Sequence, residues 1–153
     1  MSRFFPTFVS RSGAYGLLIV RLMFGIALIL HGWPKLQHAF NWMGPSSPVP
    51  GFLQALSAFA EAGGGLAIIL GLLTPLAALG IICNFIVALM MVHFPHHDPF
   101  VGMGHSWESA GHYLAIGFLL LMTGPGTLSL DARLFRPLVV PKGMVQEREK
   151  VSL

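Results

Sequence analysis

The sequence predicts an all-α protein, a transmembrane four-helix bundle with both termini in the cytoplasm. Three observations carry that expectation. Of 153 residues, 54% are hydrophobic and 10% charged, with a mean hydropathy of +0.72; a soluble domain carries about 25% charge. The apolar residues lie in four long blocks, none with the period of two that barrel strands show. Outside those blocks, Lys and Arg fall almost entirely on one side. The same composition excludes a disordered chain, a water-soluble enzyme and a nucleic-acid module. A formal charge of +3 is too small and too scattered for a phosphate-binding footprint.

Crossing about 30 Å of hydrocarbon takes about 20 apolar residues in a helix. The first block, about 13–33, contains one charge, Arg21. It is too long for a signal peptide and has no small-x-small cleavage pattern after Trp33, so it reads as a retained helix. The second, about 51–73, contains Glu61, and the third, about 76–94, has no formal charge. The fourth, about 106–123, is short, begins near Ser106 and is broken by Gly124-Pro125-Gly126. Residues 1–136 make one transmembrane domain on this reading, and 137–153 form a cytoplasmic tail with mixed charges.

Orientation follows from the cations. Arg3 and Arg11 precede the first block; Arg133, Arg136, Lys142, Arg148 and Lys150 follow the fourth. Only Lys35 lies on the opposite side, so both termini are expected inside and the loops 34–50 and 95–107 outside. All seven histidines then gather at the outer face.

Ionisable side chains within the hydrocarbon cost about 2.5–3.5 kcal/mol or more and need partners. At about 1.5 Å per residue, Arg21 is about 12 Å and Glu61 about 18 Å from the inner helix ends, so the sequence predicts an Arg21–Glu61 pair. Packing glue is the plain alternative for such a pair. Gly63, Gly64 and Gly65 mark a close-packing helix face. Arg21, His31 and Lys35 share one stripe of the first helix, with Gly25 and Gly32 on or beside it. His93 closes the third block, while Glu108 and His112, four residues apart, open the fourth beside Tyr113. Together these residues outline a chamber, polar above and charged below, suited to a quinone head group, a small anion or a metal. The expected roles are catalytic for Arg21, His31, Glu61 and His93, and substrate-binding for Lys35, Glu108, His112 and Tyr113. A metal on His31, His93, His112 and Glu108 is chemically reasonable, but no ligand spacing fixes it, and a metal centre is not the expectation. No haem, flavin, nicotinamide or iron–sulfur motif is present, so the cofactor stays open, with a quinone the candidate. The single Cys83 excludes an intrachain disulfide or a CxxC redox pair.

Several motifs resemble those of the DoxX family of small bacterial and archaeal membrane proteins. They are Arg21-x3-Gly25 followed by HGWPK (31–35), then FAEAGGGLAIILGLLTP (59–75), Trp107-Glu108, and GPGTLSLD (124–131). The resemblance spans about 21–131 and implies a four-helix bundle with both termini inside. It also implies an association with redox chemistry, since the family takes its name from a subunit of a thiosulfate:quinone oxidoreductase. Arg21, His31, Lys35, Glu61 and Glu108 are the site positions it carries over. The expected function is a cytoplasmic-membrane component of a redox system that binds a quinone or small sulfur compound in the outer half of the bundle. Its partners would be the lipid bilayer, a redox protein or a second copy, and no nucleic acid. A non-catalytic accessory scaffold and a small-molecule carrier are the alternatives.

Overall fold

A computed structural model describes residues 11–47 and 49–135. The expected tail, 137–153, lies outside the described residues. Within them the chain is helical throughout, with no strand. Five helices follow in order: α1 (Arg11–Gln37), α2 (Gly51–Leu70), α3 (Thr74–Ala88), α4 (Glu108–Thr123) and the short α5 (Leu130–Leu134). A π-helical turn, Leu89–His93, extends α3.

Local chemistry sets the boundaries. α1 runs past Trp33 to Gln37 with Pro34 inside it, which leaves the Leu30 carbonyl without its helical donor. α2 stops at Leu70 because Gly71 turns left-handed, φ 64°, and its N–H caps the final turn. A Cβ at Gly71 would stand 2.5 Å from Ser129 Cβ and 2.6 Å from Arg21 Nη2, so only glycine fits. α3 carries Pro75 in its first turn, where a missing N–H is harmless. α4 begins at Glu108, two residues later than expected, and ends where Gly124 leaves the helix.

Among the described residues, three helical segments are long and apolar enough to cross a membrane: Ser12–Gln37, Gly51–Leu70 and Thr74–His93. α4, with 16 residues, rises about 24 Å. Large apolar side chains, among them Met23, Leu30, Phe59, Leu66 and Met122, face outward. An exterior of this kind suits lipid rather than water.

Consecutive helices pack against one another. α1 and α2 meet through glycines: a Cβ on Gly25 would fall 2.6 Å from the Gly65 carbonyl, and one on Gly32 would fall 2.6 Å from Ala62 N. Small residues there let the backbones approach closely. α4 packs on α3 at Gly117, against Ile82. The core runs between them as Phe24, Leu28, Ile68, Ile81, Phe85 and Leu120. The glycine contacts also fix the register. Gly32 lies level with Glu61, whereas Arg21 lies level with the last turn of α2.

Candidate functional site

Arg21 and Glu61 do not pair. α1 starts more than two turns before the level at which α2 stops, and counting inward from flush ends at residues 13 and 73 sets Arg21 level with Gly65, about one turn short of its contacts at Ile68 and Ile69. The Arg21 side chain is buried, and its guanidinium meets four backbone carbonyls. Nε donates to Ile68 at 2.9 Å and Nη2 to Ile69 at 2.9 Å, both carbonyls of the last turn of α2. Nη1 donates to Pro125 and Leu128, each at 2.8 Å, in the loop after α4. The cation also sits at the negative end of the α2 dipole. Asp131 completes this knot. Its carboxylate accepts from Leu73 N at 2.7 Å and Thr74 N at 2.8 Å, capping α3, while its own N–H donates to the Gly71 carbonyl. Leu73 takes a left-handed φ of 48°, a conformation that this cap holds in place. Arg21 is therefore a clamp, with four of its donors committed to backbone.

Glu61 takes its counter-ion from another residue of α1. Lys35 Nζ stands 2.6 Å from Glu61 Oε1, and Asn84 Nδ2 of α3 donates to the same oxygen at 3.0 Å. The glutamate side chain is 3% exposed and the lysine 22%. Glu61 Oε2 is buried and, among the described residues, has no hydrogen-bond partner. A buried carboxylate oxygen left unpaired is costly, which makes it a place where a donor is called for. Above the pair, Lys35 Nζ lies 4.5 Å from the centre of the Trp42 ring. Gln54 pins that loop: it accepts from Met43 N at 3.0 Å through Oε1, donates from Nε2 to the Val49 carbonyl at 2.8 Å, and its backbone carbonyl accepts from Trp42 Nε1 at 3.0 Å.

The remaining candidates separate. Tyr113 comes near Glu61 through Phe85, the neighbour of the Asn84 that bonds Glu61. Its ring stacks on Phe85 at 4.8 Å and meets Phe24 at 5.6 Å, with the His31 ring edge-on at 5.5 Å. His93 lies nine residues beyond Asn84 along the α3 axis, about 14 Å, and its Nδ1 pairs with Asp98 Oδ2 at 2.8 Å in the loop. Glu108 is half-buried at the start of α4, and His112 is exposed. The expected single chamber of eight residues is thus not formed. Glu61, Lys35, Tyr113 and His31 come together, while Arg21, His93, Glu108 and His112 stand elsewhere. Among the described residues, no three His, Cys, Asp or Glu side chains gather as metal ligands.

Comparison with known proteins fits this arrangement of apolar helices. The sequence profile of DoxX matches residues 16–94. The chain belongs to the DoxX family. It is similar to the inner membrane protein YqjF of Escherichia coli, with 36% identity over 124 residues, covering 76% of this chain and 89% of that one. It also resembles the uncharacterized membrane protein Rv3486 of Mycobacterium tuberculosis, 27% identical over 143 residues, 84% of this chain and 87% of that protein. No solved structure matches significantly. This DoxX chain is a membrane protein of the inner-membrane type.

Three polar residues of this DoxX chain escaped the sequence reading. Asn84 is the one amide in the third apolar block, and an isolated amide in hydrocarbon signals a partner as surely as a charge does. Gln54 carried the same signal in the second block. Asp131 ends the GPGTLSLD motif, but a cap acting across 57 residues of sequence has no local signature.

Proposed function

We propose that this protein is a four-helix membrane component of a redox system, with both termini cytoplasmic, and that it holds a quinol head group at Glu61. One observation supports the choice above all: the buried, unpaired Oε2 of Glu61. A carboxylate oxygen accepts and cannot donate, so its ligand must bring an O–H or N–H. A quinol hydroxyl does so. A quinone carbonyl does not, and thiosulfate would bring negative charge to a carboxylate. Among the ligands the sequence suggests, the reduced quinone therefore fits best.

The surrounding residues suit that role. Lys35 and Asn84 fix the carboxylate through Oε1 and leave Oε2 aimed at the ligand. Phe85 and Tyr113 supply an aromatic wall close by. Oxidation of a quinol releases two electrons and two protons; a partner redox protein takes both electrons, and Glu61 Oε2 receives the two protons in turn, passing each to water before it takes the next. Arg21 and Asp131 hold the helices in register and make no contact with the ligand.

Titration of the protein in lipid nanodiscs with a short-chain quinol and with its quinone tests this reading. The quinol binds more tightly, and Glu61→Leu weakens it about tenfold or more, equivalent to about 1.4 kcal/mol. Equal affinity for both forms, unchanged by Glu61→Leu, overturns the assignment and leaves a scaffold in which Lys35 and Glu61 serve only to lock α1 to α2.

A further inference from the structure

The seams of the helix bundle are not alike. α1 meets α2 through glycines that bring backbones together, and α3 meets α4 where Gly117 receives the Ile82 side chain. α1 and α4 do not pack closely. Ring contacts fill the space between them: Phe24 of α1 lies 5.6 Å from Tyr113 of α4, and the His31 ring meets the same tyrosine edge-on at 5.5 Å. His31 is exposed and Tyr113 half-buried; Gly32, next to His31, packs on Glu61, and Phe85, stacked on Tyr113, follows the Asn84 that bonds Glu61. The other approach, along the bundle axis, is covered by Lys35 and by the Trp42 loop that Gln54 fastens with three hydrogen bonds.

We infer that the α1–α4 seam is a lateral entrance from the bilayer to Glu61, closed by the His31–Tyr113 ring pair, and that its ligands arrive dissolved in lipid. Rings meeting edge to face at one contact can part by a rotamer change of an exposed side chain, with no helix having to move. The α1–α2 seam offers no such element, because at Gly25, Gly32 and Gly65 backbone meets backbone, and at the α3–α4 seam Gly117 is filled by the buried Ile82 side chain. The identity of the ligand as a quinol rests on the reading above; the route to the carboxylate does not.

Carbodiimide labelling tests the route without any natural ligand. Dicyclohexylcarbodiimide partitions into lipid and adds to a carboxylic acid, leaving an acylurea whose mass marks the residue. A water-soluble carbodiimide does the same from the aqueous side. In full-length protein in nanodiscs, the lipid-soluble reagent labels Glu61 at least fivefold faster than the water-soluble one. His31→Ala speeds that labelling severalfold and His31→Trp slows it, while both variants keep wild-type helicity and elution because His31 is exposed. Glu61→Gln gives no mark at that peptide. Failure of the lipid-soluble reagent to label Glu61, faster labelling from water, or indifference to both His31 variants overturns the entrance. Adding a quinol separates the two proposals: labelling that depends on His31 but is not blocked by quinol rejects the ligand and keeps the route.

Discussion

Lys35 on α1 and Glu61 on α2 are joined at 2.6 Å, yet the pair uses only one of the two carboxylate oxygens. Asn84 shares the occupied oxygen, so three helices converge on a single atom while its neighbour stays bare. Desolvating both ions offsets much of their attraction, and such a pair adds little to stability by itself. Its geometry makes better sense as a device for orienting Oε2.

That asymmetry predicts an inverted preference in Glu61→Gln. The amide keeps a carbonyl to accept from Lys35 and Asn84 and turns an N–H2 toward the ligand. The variant is expected to bind the quinone more tightly than the quinol, the reverse of wild type. Parallel titrations of the two redox forms check it.

Stability and binding should separate at the Lys35–Glu61 pair. Lys35→Met alone strands a buried carboxylate and is expected to destabilise by about 3 kcal/mol. Lys35→Met with Glu61→Leu recovers most of that loss but does not restore binding. A double-mutant cycle of thermal unfolding in detergent, with an interaction energy of about 1–3 kcal/mol, is the measurement.

Arg21→Ala removes a guanidinium from four backbone carbonyls at once and is expected to destabilise by about 3–5 kcal/mol. Arg21→Lys restores the charge without the planar fork and rescues only part. Unfolding midpoints of the two variants decide whether the fork or the charge matters.

Glycine substitutions test the α1–α2 seam. Gly32→Ala puts a methyl 2.6 Å from Ala62 N and 2.9 Å from Glu61 Cβ, so the helices must part. The expected loss is about 1–3 kcal/mol, together with weaker quinol binding as Lys35 shifts. Gly80→Ala meets nothing within 4 Å and is expected to be neutral or to stabilise by about 0.5–1 kcal/mol.

His112→Ala is expected to leave both stability and quinol affinity unchanged, within about 0.5 kcal/mol, because the side chain is exposed and outside the Glu61 cluster. A loss of binding in this variant would restore the wider chamber.

The sequence by itself determined the membrane, the helices and the family, because composition and block length are properties of consecutive residues. It also marked Glu61, Lys35 and the glycines, since a charge in hydrocarbon or a run of glycines is visible without coordinates. Which cation faces Glu61 was beyond it. That choice depends on how far α1 slides along α2, and the slide is set by Gly25, Gly32 and Gly65 fitting one another, a matter of shape between distant segments. The same register gave Arg21 to the α2 carbonyls and made Asp131 the cap of α3. Counting residues inward from the ends of helices measures depth only if the ends are level, and only the packed structure decides where they lie.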